Sequence, residues 1–111
     1  MTNETKHIPT AVTAYLDAAN RFDAAGAGAC FTPNAVVRDE HKDYIGSPAI
    51  ERWVSQTSLE YRPRVTETST QMKANTVRMA VRVTGDFPGS PVALDYEFRL
   101  QDGKIAQLDI R

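Results

Sequence analysis

The sequence predicts an α+β fold, with helices covering one face of an antiparallel sheet. Three observations carry that prediction. Apolar residues recur at helical spacing in the first half of the chain, at Ile8, Val12, Tyr15, Leu16, Ala19 and Phe22 and again at Ala49, Ile50, Trp53 and Val54, a stripe that Thr57 continues. The second half alternates with period two instead. Val77, Met79, Val81 and Val83 share one face, as do Val92, Leu94, Tyr96, Phe98 and Leu100. Turn signals at Lys73-Ala74-Asn75, Asp86-Phe87-Pro88-Gly89 and Asp102-Gly103 separate the strands. Helices first and strands afterwards is the α+β order.

Each element has a local justification. Residues 1 to 7 are polar and are expected to fray. Pro9 suits the first position of a helix, because its missing N–H is an orphan there anyway. A short alanine- and glycine-rich helical turn is expected over 24–31, ended by Thr32-Pro33-Asn34. Residues 35–40 read as a strand and 43–46 as a short partner or a turn. Ser47 as N-cap and Pro48 at N1 then start a third helix, which Pro63 stops. The remaining strands fall at about 64–71, 76–84, 92–100 and 104–110.

Matching apolar faces sets an expected register, since a one-residue slip would turn every side chain over. It pairs Val83 with Leu94, Val81 with Tyr96 and Met79 with Phe98, with Arg82 opposite Asp95. A three-residue loop, Gln101-Asp102-Gly103, would align Ala106, Leu108 and Ile110 with Phe98, Tyr96 and Leu94, and set Asp109 opposite Asp95.

At 111 residues the chain is read as one domain, 1–111, large enough for a single core. Thirteen basic and fourteen acidic residues give a net charge of −1, so neither nucleic acid nor a membrane surface is an expected partner. The N-terminal residues lack the apolar run of a signal peptide, and no segment reaches membrane-span length. The lone Cys30 offers no intramolecular disulfide and reads as a small buried filler. A reducing, cytoplasmic setting is the expectation.

Candidate chemistry centres on Asp39, a carboxylate ending an apolar strand. At the edge of a core its pKa is open to tuning; in a turn it would accept backbone amides instead. His41 is an acid–base auxiliary, since histidine titrates near neutrality. Glu40, His41 and Asp43 read as a solvated turn, so no metal is expected. Tyr15 lies on the first helix's apolar stripe, as core or as pocket donor. Trp53, Tyr61, Met79, Tyr96 and Phe98 are the candidate walls of a ligand pocket. Arg78, Arg82, Asp95, Glu97 and Arg99 read as charges of the outer sheet face.

The segments CFTPNAVVRDE, YIGSPAIERW and VTGDFPGSP...DYEFRLQDGKIAQLDI, with the amphipathic first helix, resemble the nuclear transport factor 2-like superfamily and most closely its SnoaL-like branch. The resemblance implies a curved antiparallel sheet wrapped around helices into a cone with an internal pocket. It also implies a homodimer formed through the sheet. YLDAANRFDAAGAGACFTPNAVVRD is similar, without a gap, to the start of the ketosteroid isomerases. That likeness sets Tyr15 on their oxyanion-donating tyrosine and Asp39 on their general base. The family's third group, a protonated aspartic acid, falls on Asp95 when counted back from Gly103 and on Tyr96 when the alternation is followed. The implied function is binding of a small apolar or partly polar metabolite, with cofactor-free proton transfer of isomerase, cyclase or hydratase type. The alternative is a non-catalytic ligand- or partner-binding module of the same fold.

Overall fold

The computed structural model describes residues 7–111; the expected fraying of residues 1 to 7 lies, except for His7, outside them. The chain runs α1 (Thr10–Asn20), α2 (Ala24–Gly28), β1 (Phe31–Asp39), β2 (Lys42–Ile45), α3 (Ser47–Tyr61), β3 (Arg64–Lys73), β4 (Thr76–Thr84), β5 (Val92–Gln101) and β6 (Lys104–Ile110). Six strands form one curved, unclosed sheet in the order β2-β1-β6-β5-β4-β3. Every neighbouring pair is antiparallel except β1 and β6, which run parallel. On the inner face α1 packs against β3 and β6, α3 against β1 and β2, and α2 bridges the two long helices. Among the described residues no helix is long and apolar enough to cross a membrane.

The elements follow the sequence closely, and the differences have physical reasons. Pro9 sits one position earlier than expected, as the cap of α1, where its carbonyl accepts from the Val12 and Thr13 amides at 3.0 and 3.2 Å. Gly46, not Ser47, caps α3: its φ of +88° suits glycine, and its carbonyl accepts from the Ile50 amide at 3.0 Å. The second helix stops at Gly28 because Phe31 is already in β1, opposite Ile105. Pro33 does not break that strand. It lies where the β1–β6 register slips between Phe31 and Val36, and an irregular ladder tolerates a residue with no N–H.

The expected strand register is corrected by two residues. Val83 pairs with Val92, Val81 with Leu94, Met79 with Tyr96 and Val77 with Phe98, so Arg82 faces Ala93 and Asp95 faces Ala80. A shift of two keeps every side chain on its face, which is why alternation could not exclude it. The β5–β6 hairpin differs too. Gln101 pairs with Lys104, leaving a two-residue turn in which Asp102 and Gly103 both have positive φ, +51° and +80°. The irregularity lies inside the ladder instead. Arg99 pairs with Gln107 and Leu100 with Ile105, so Ala106 is the extra residue of a bulge. Ile105 therefore takes the buried place expected for Ala106, Leu108 pairs with Phe98, and Ile110 with Tyr96. Asp109 lies opposite Glu97 rather than Asp95. Arg111 relieves that like-charge pair, with its guanidinium 3.2 Å from Glu97 and 3.7 Å from Asp109.

The core fills the space between inner face and helices. Phe98, Ile50, Met79, Ile105 and Leu108 are its largest fully buried side chains. One polar contact ties helix to sheet. The Asn20 side chain accepts from the Val65 amide at 2.8 Å and donates to the Val65 carbonyl at 2.9 Å, supplying a strand-like partner near the start of edge strand β3. Asn20→Ala leaves both backbone groups unmet in a part-buried place, and each unmet group costs about 1–3 kcal/mol. The expected outcome is a lower unfolding midpoint in urea with an unchanged slope.

Candidate functional site

The inner face and helices enclose an open cavity of about 1150 Å³. Four elements supply its chemistry. Asp39 is the last residue of β1, Tyr15 stands on the buried stripe of α1, Trp53 on that of α3, and Tyr96 on the inward face of β5. All four line the cavity, together with apolar walls from Val54, Val65, Val83 and Leu94.

Asp39 is half-buried, and its Oδ2 accepts a hydrogen bond of 3.2 Å from the Trp53 indole N–H. Burial pushes its pKa above the ordinary aspartate value; the indole bond works against that shift and nearby Glu40 adds to it. No cationic side chain is among the causes. Tyr15 and Tyr96 are buried to within a few per cent. Burial, first, pushes both phenols well up, and the charge of Asp39 adds to the shift in each. Both are therefore neutral O–H groups at any physiological pH, able to donate. Their rings are fixed by edge-on packing: Tyr15 against Phe31 at 5.4 Å and Phe98 at 6.1 Å, Tyr96 against Phe98 at 6.0 Å.

Two groups of the expected residues separate. Asp39, Tyr15, Tyr96, His41, Trp53 and Tyr61 all line the cavity, His41 from an exposed turn at the rim. Met79 and Phe98 do not: they are 1% and 0% exposed and lie beneath the wall, Met79 paired with Tyr96 and Phe98 wedged between the two tyrosines. Alternation assigns a residue to the inward face but not to a depth on it. Of the two readings for the third site group, Tyr96 is the inward, buried residue and Asp95 is exposed on the outer face. Asp39 ends its strand beside a turn yet gives its side chain to the indole. In the same hairpin Asp43 pairs with Arg38 at 2.8 Å, and among the described residues no group of His, Cys, Asp and Glu side chains is arranged to hold a metal ion. The sequence reading missed Phe87, which lines the cavity from the β4–β5 loop and packs edge-on against Tyr61 at 5.9 Å. A phenylalanine inside a turn signal was the available clue.

A curved six-stranded sheet folded over three helices around an open cavity defines the nuclear transport factor 2-like, or cystatin-like, class of α+β protein. Residues 12–108 match the model of the SnoaL-like domain, and the chain belongs to that family. A candidate polyketide cyclase from Sinorhizobium meliloti is 34% identical, with a TM-score of 0.90 over 94% of this chain and 95% of that one. A Catenulispora acidiphila protein with a ketosteroid isomerase-like fold, solved with trimethylamine, is 20% identical with a TM-score of 0.84, over 95% of this chain and 86% of that one. A nuclear transport factor 2-like protein of unknown function from Cytophaga hutchinsonii is 14% identical with a TM-score of 0.80, over 98% and 93%. No curated protein matches the sequence.

The raised pKa of Asp39 has a consequence for stability. A carboxyl whose folded-state pKa exceeds its unfolded one contributes stability that is full below the unfolded value and is lost as pH rises through the folded one. Asp39→Asn removes that loss while keeping an oxygen for the indole. The variant should melt above the wild type at neutral pH, and the gap should close on acidification below the ordinary aspartate range, as read by thermal melts across pH.

Proposed function

We propose that the protein binds a small, largely apolar carbonyl compound in the cavity and catalyses cofactor-free proton transfer on it, of isomerase, cyclase or hydratase type. The observation that carries this reading is a half-buried carboxylate with a raised pKa sharing one cavity with two buried phenols and several apolar walls. Asp39 takes a proton from the carbon beside the carbonyl, and the C–H electron pair moves into the enolate. Tyr15 or Tyr96 donates a hydrogen bond to the enolate oxygen. In isomerisation the proton held by Asp39 returns to another carbon of the same molecule. In cyclisation the enolate carbon attacks a second carbonyl of that molecule, and the alkoxide formed takes the proton. In hydration Asp39 instead takes the proton from a water that adds to a conjugated C=C bond and returns it to the enolate carbon. A base whose pKa is raised toward working pH removes such a proton more effectively than an ordinary aspartate. The 34% identity to a candidate polyketide cyclase supports chemistry beside carbonyls.

The test is deuterium exchange from solvent into a panel of cyclic and aromatic ketones, followed by NMR. Asp39→Asn should slow exchange by about a hundredfold or more, the usual scale for losing a general base. Tyr15→Phe and Tyr96→Phe are each expected to slow it about ten- to a thousandfold when the lost phenol is the oxyanion donor. Exchange that survives Asp39→Asn would contradict the mechanism and leave a binding cavity.

The same reading includes a homodimer through the outer face of the sheet. Arg78, Arg82 and Arg99 lie there among Asp95 and Glu97, a mixed set that a second copy can complement. Sedimentation equilibrium should give twice the chain mass, weakening with added salt; a salt-independent monomer would contradict the dimer.

A further inference from the structure

We infer that Trp53 is the positioning residue for Asp39, holding Oδ2 through its indole N–H and leaving Oδ1 as the oxygen that exchanges the proton. The inference rests on the proton-transfer reading for its catalytic meaning, but its structural content stands apart from any substrate. The geometry comes from three restraints that meet at one side chain. The indole N–H lies 3.2 Å from Oδ2. Trp53 itself is fixed: it is 7% exposed, stacks at 5.9 Å on Tyr44 of β2, and its carbonyl accepts from the Thr57 hydroxyl at 2.9 Å. On the other side, Asp39 pairs with Lys42 across a two-residue turn, Glu40-His41, in which both residues have positive φ, +52° and +65°. Neither is glycine, so the turn is held in a costly conformation immediately beside the carboxylate.

These restraints answer a specific problem. A carboxylate in an apolar cavity is pushed toward its neutral form, and a neutral acid cannot accept the proton. A hydrogen bond to the charged form opposes that push without the neutralising effect of a cation. An indole is suited to this, because it donates one hydrogen bond, accepts none and carries no charge. The bond also distinguishes the two oxygens. With Oδ2 engaged, the carboxylate cannot turn freely, and a fixed base oxygen is what an oriented proton transfer needs.

The chain's only tryptophan makes the test direct, since a single indole resonance reports on it without assignment. The titratable and charged groups around Asp39 are Glu40 and His41 in its own turn, Lys42 across the hairpin, Arg38 beside it on β1, Asp109 and Arg111 flanking its partner Ile110, Tyr15 of α1, Tyr96 of β5, and Glu60 with Tyr61 on α3. In the wild-type protein the indole N–H resonance should titrate with the same midpoint as the Asp39 carboxyl. It should do so unchanged in His41→Gln and lose that transition in Asp39→Asn. In Trp53→Phe, which keeps an aromatic ring, the Asp39 midpoint should move further up, and the acid limb of the exchange rate should follow it. An indole resonance that stays flat through the Asp39 titration overturns the inference, as does a folded Trp53→Phe with an unmoved midpoint. The wild-type titration decides the matter alone if Trp53→Phe fails to fold. Absence of ketone exchange in the wild type would instead count against the catalytic reading, and the indole titration is independent of it.

Discussion

Asp39, Ile110 and Tyr96 stand in one row across three neighbouring strands, and the site depends on that row. Asp39 pairs with Ile110 through the parallel β1–β6 ladder, and Ile110 pairs with Tyr96 through the antiparallel β5–β6 ladder. Directly paired residues share a face of the sheet, so a carboxylate on one strand and a phenol two strands away both point inward. The Ala106 bulge sets this arrangement. It shifts β6 by one residue against β5, so that Ile105 and Leu108 are both buried although they are three positions apart. Uninterrupted pairing would have turned one of them, and everything beyond it, to the other face.

The helices complete what the row begins. Packing of α1 brings Tyr15 against Phe31 and Phe98, and packing of α3 brings Trp53 onto Asp39. Fully buried Phe98 packs edge-on against both tyrosines, and fully buried Met79 is paired with Tyr96. The lining mixes apolar walls with many polar and charged side chains, among them Glu40, His41, Lys42 and Glu60. Placing a carboxylate there has an energetic cost that the indole bond only partly offsets. In the proposed chemistry, that residual cost is what would suit Asp39 to accept a proton.

Much of this was legible in the sequence. Alternation in β4 and β5 set which side chains face inward, Tyr96 among them and Asp95 not. Pro63 and the Asp102-Gly103 turn marked boundaries that the structure keeps. Other features were not legible. Period-two patterns are blind to shifts of two, so the β4–β5 register had to come from the three-dimensional hairpin. Nothing local in the sequence announces the bulge at Ala106, which shows only in the pairing of β6 with β5. The Trp53–Asp39 bond joins residues fourteen positions apart on different elements, and only the packing of α3 on β1 creates it. Depth was hidden for the same reason: Met79 and Tyr96 are paired and share a face, yet one is floor and the other wall.

The proposed chemistry requires Asp39 to be a desolvated carboxylate of the cavity and not a solvated turn residue. Side-chain carboxyl NMR on the wild-type protein, with Asp39→Asn identifying the resonance, measures this directly. The expected midpoint lies clearly above that of a free aspartate. A midpoint at or below the free value would contradict it and remove the base from the proposed chemistry.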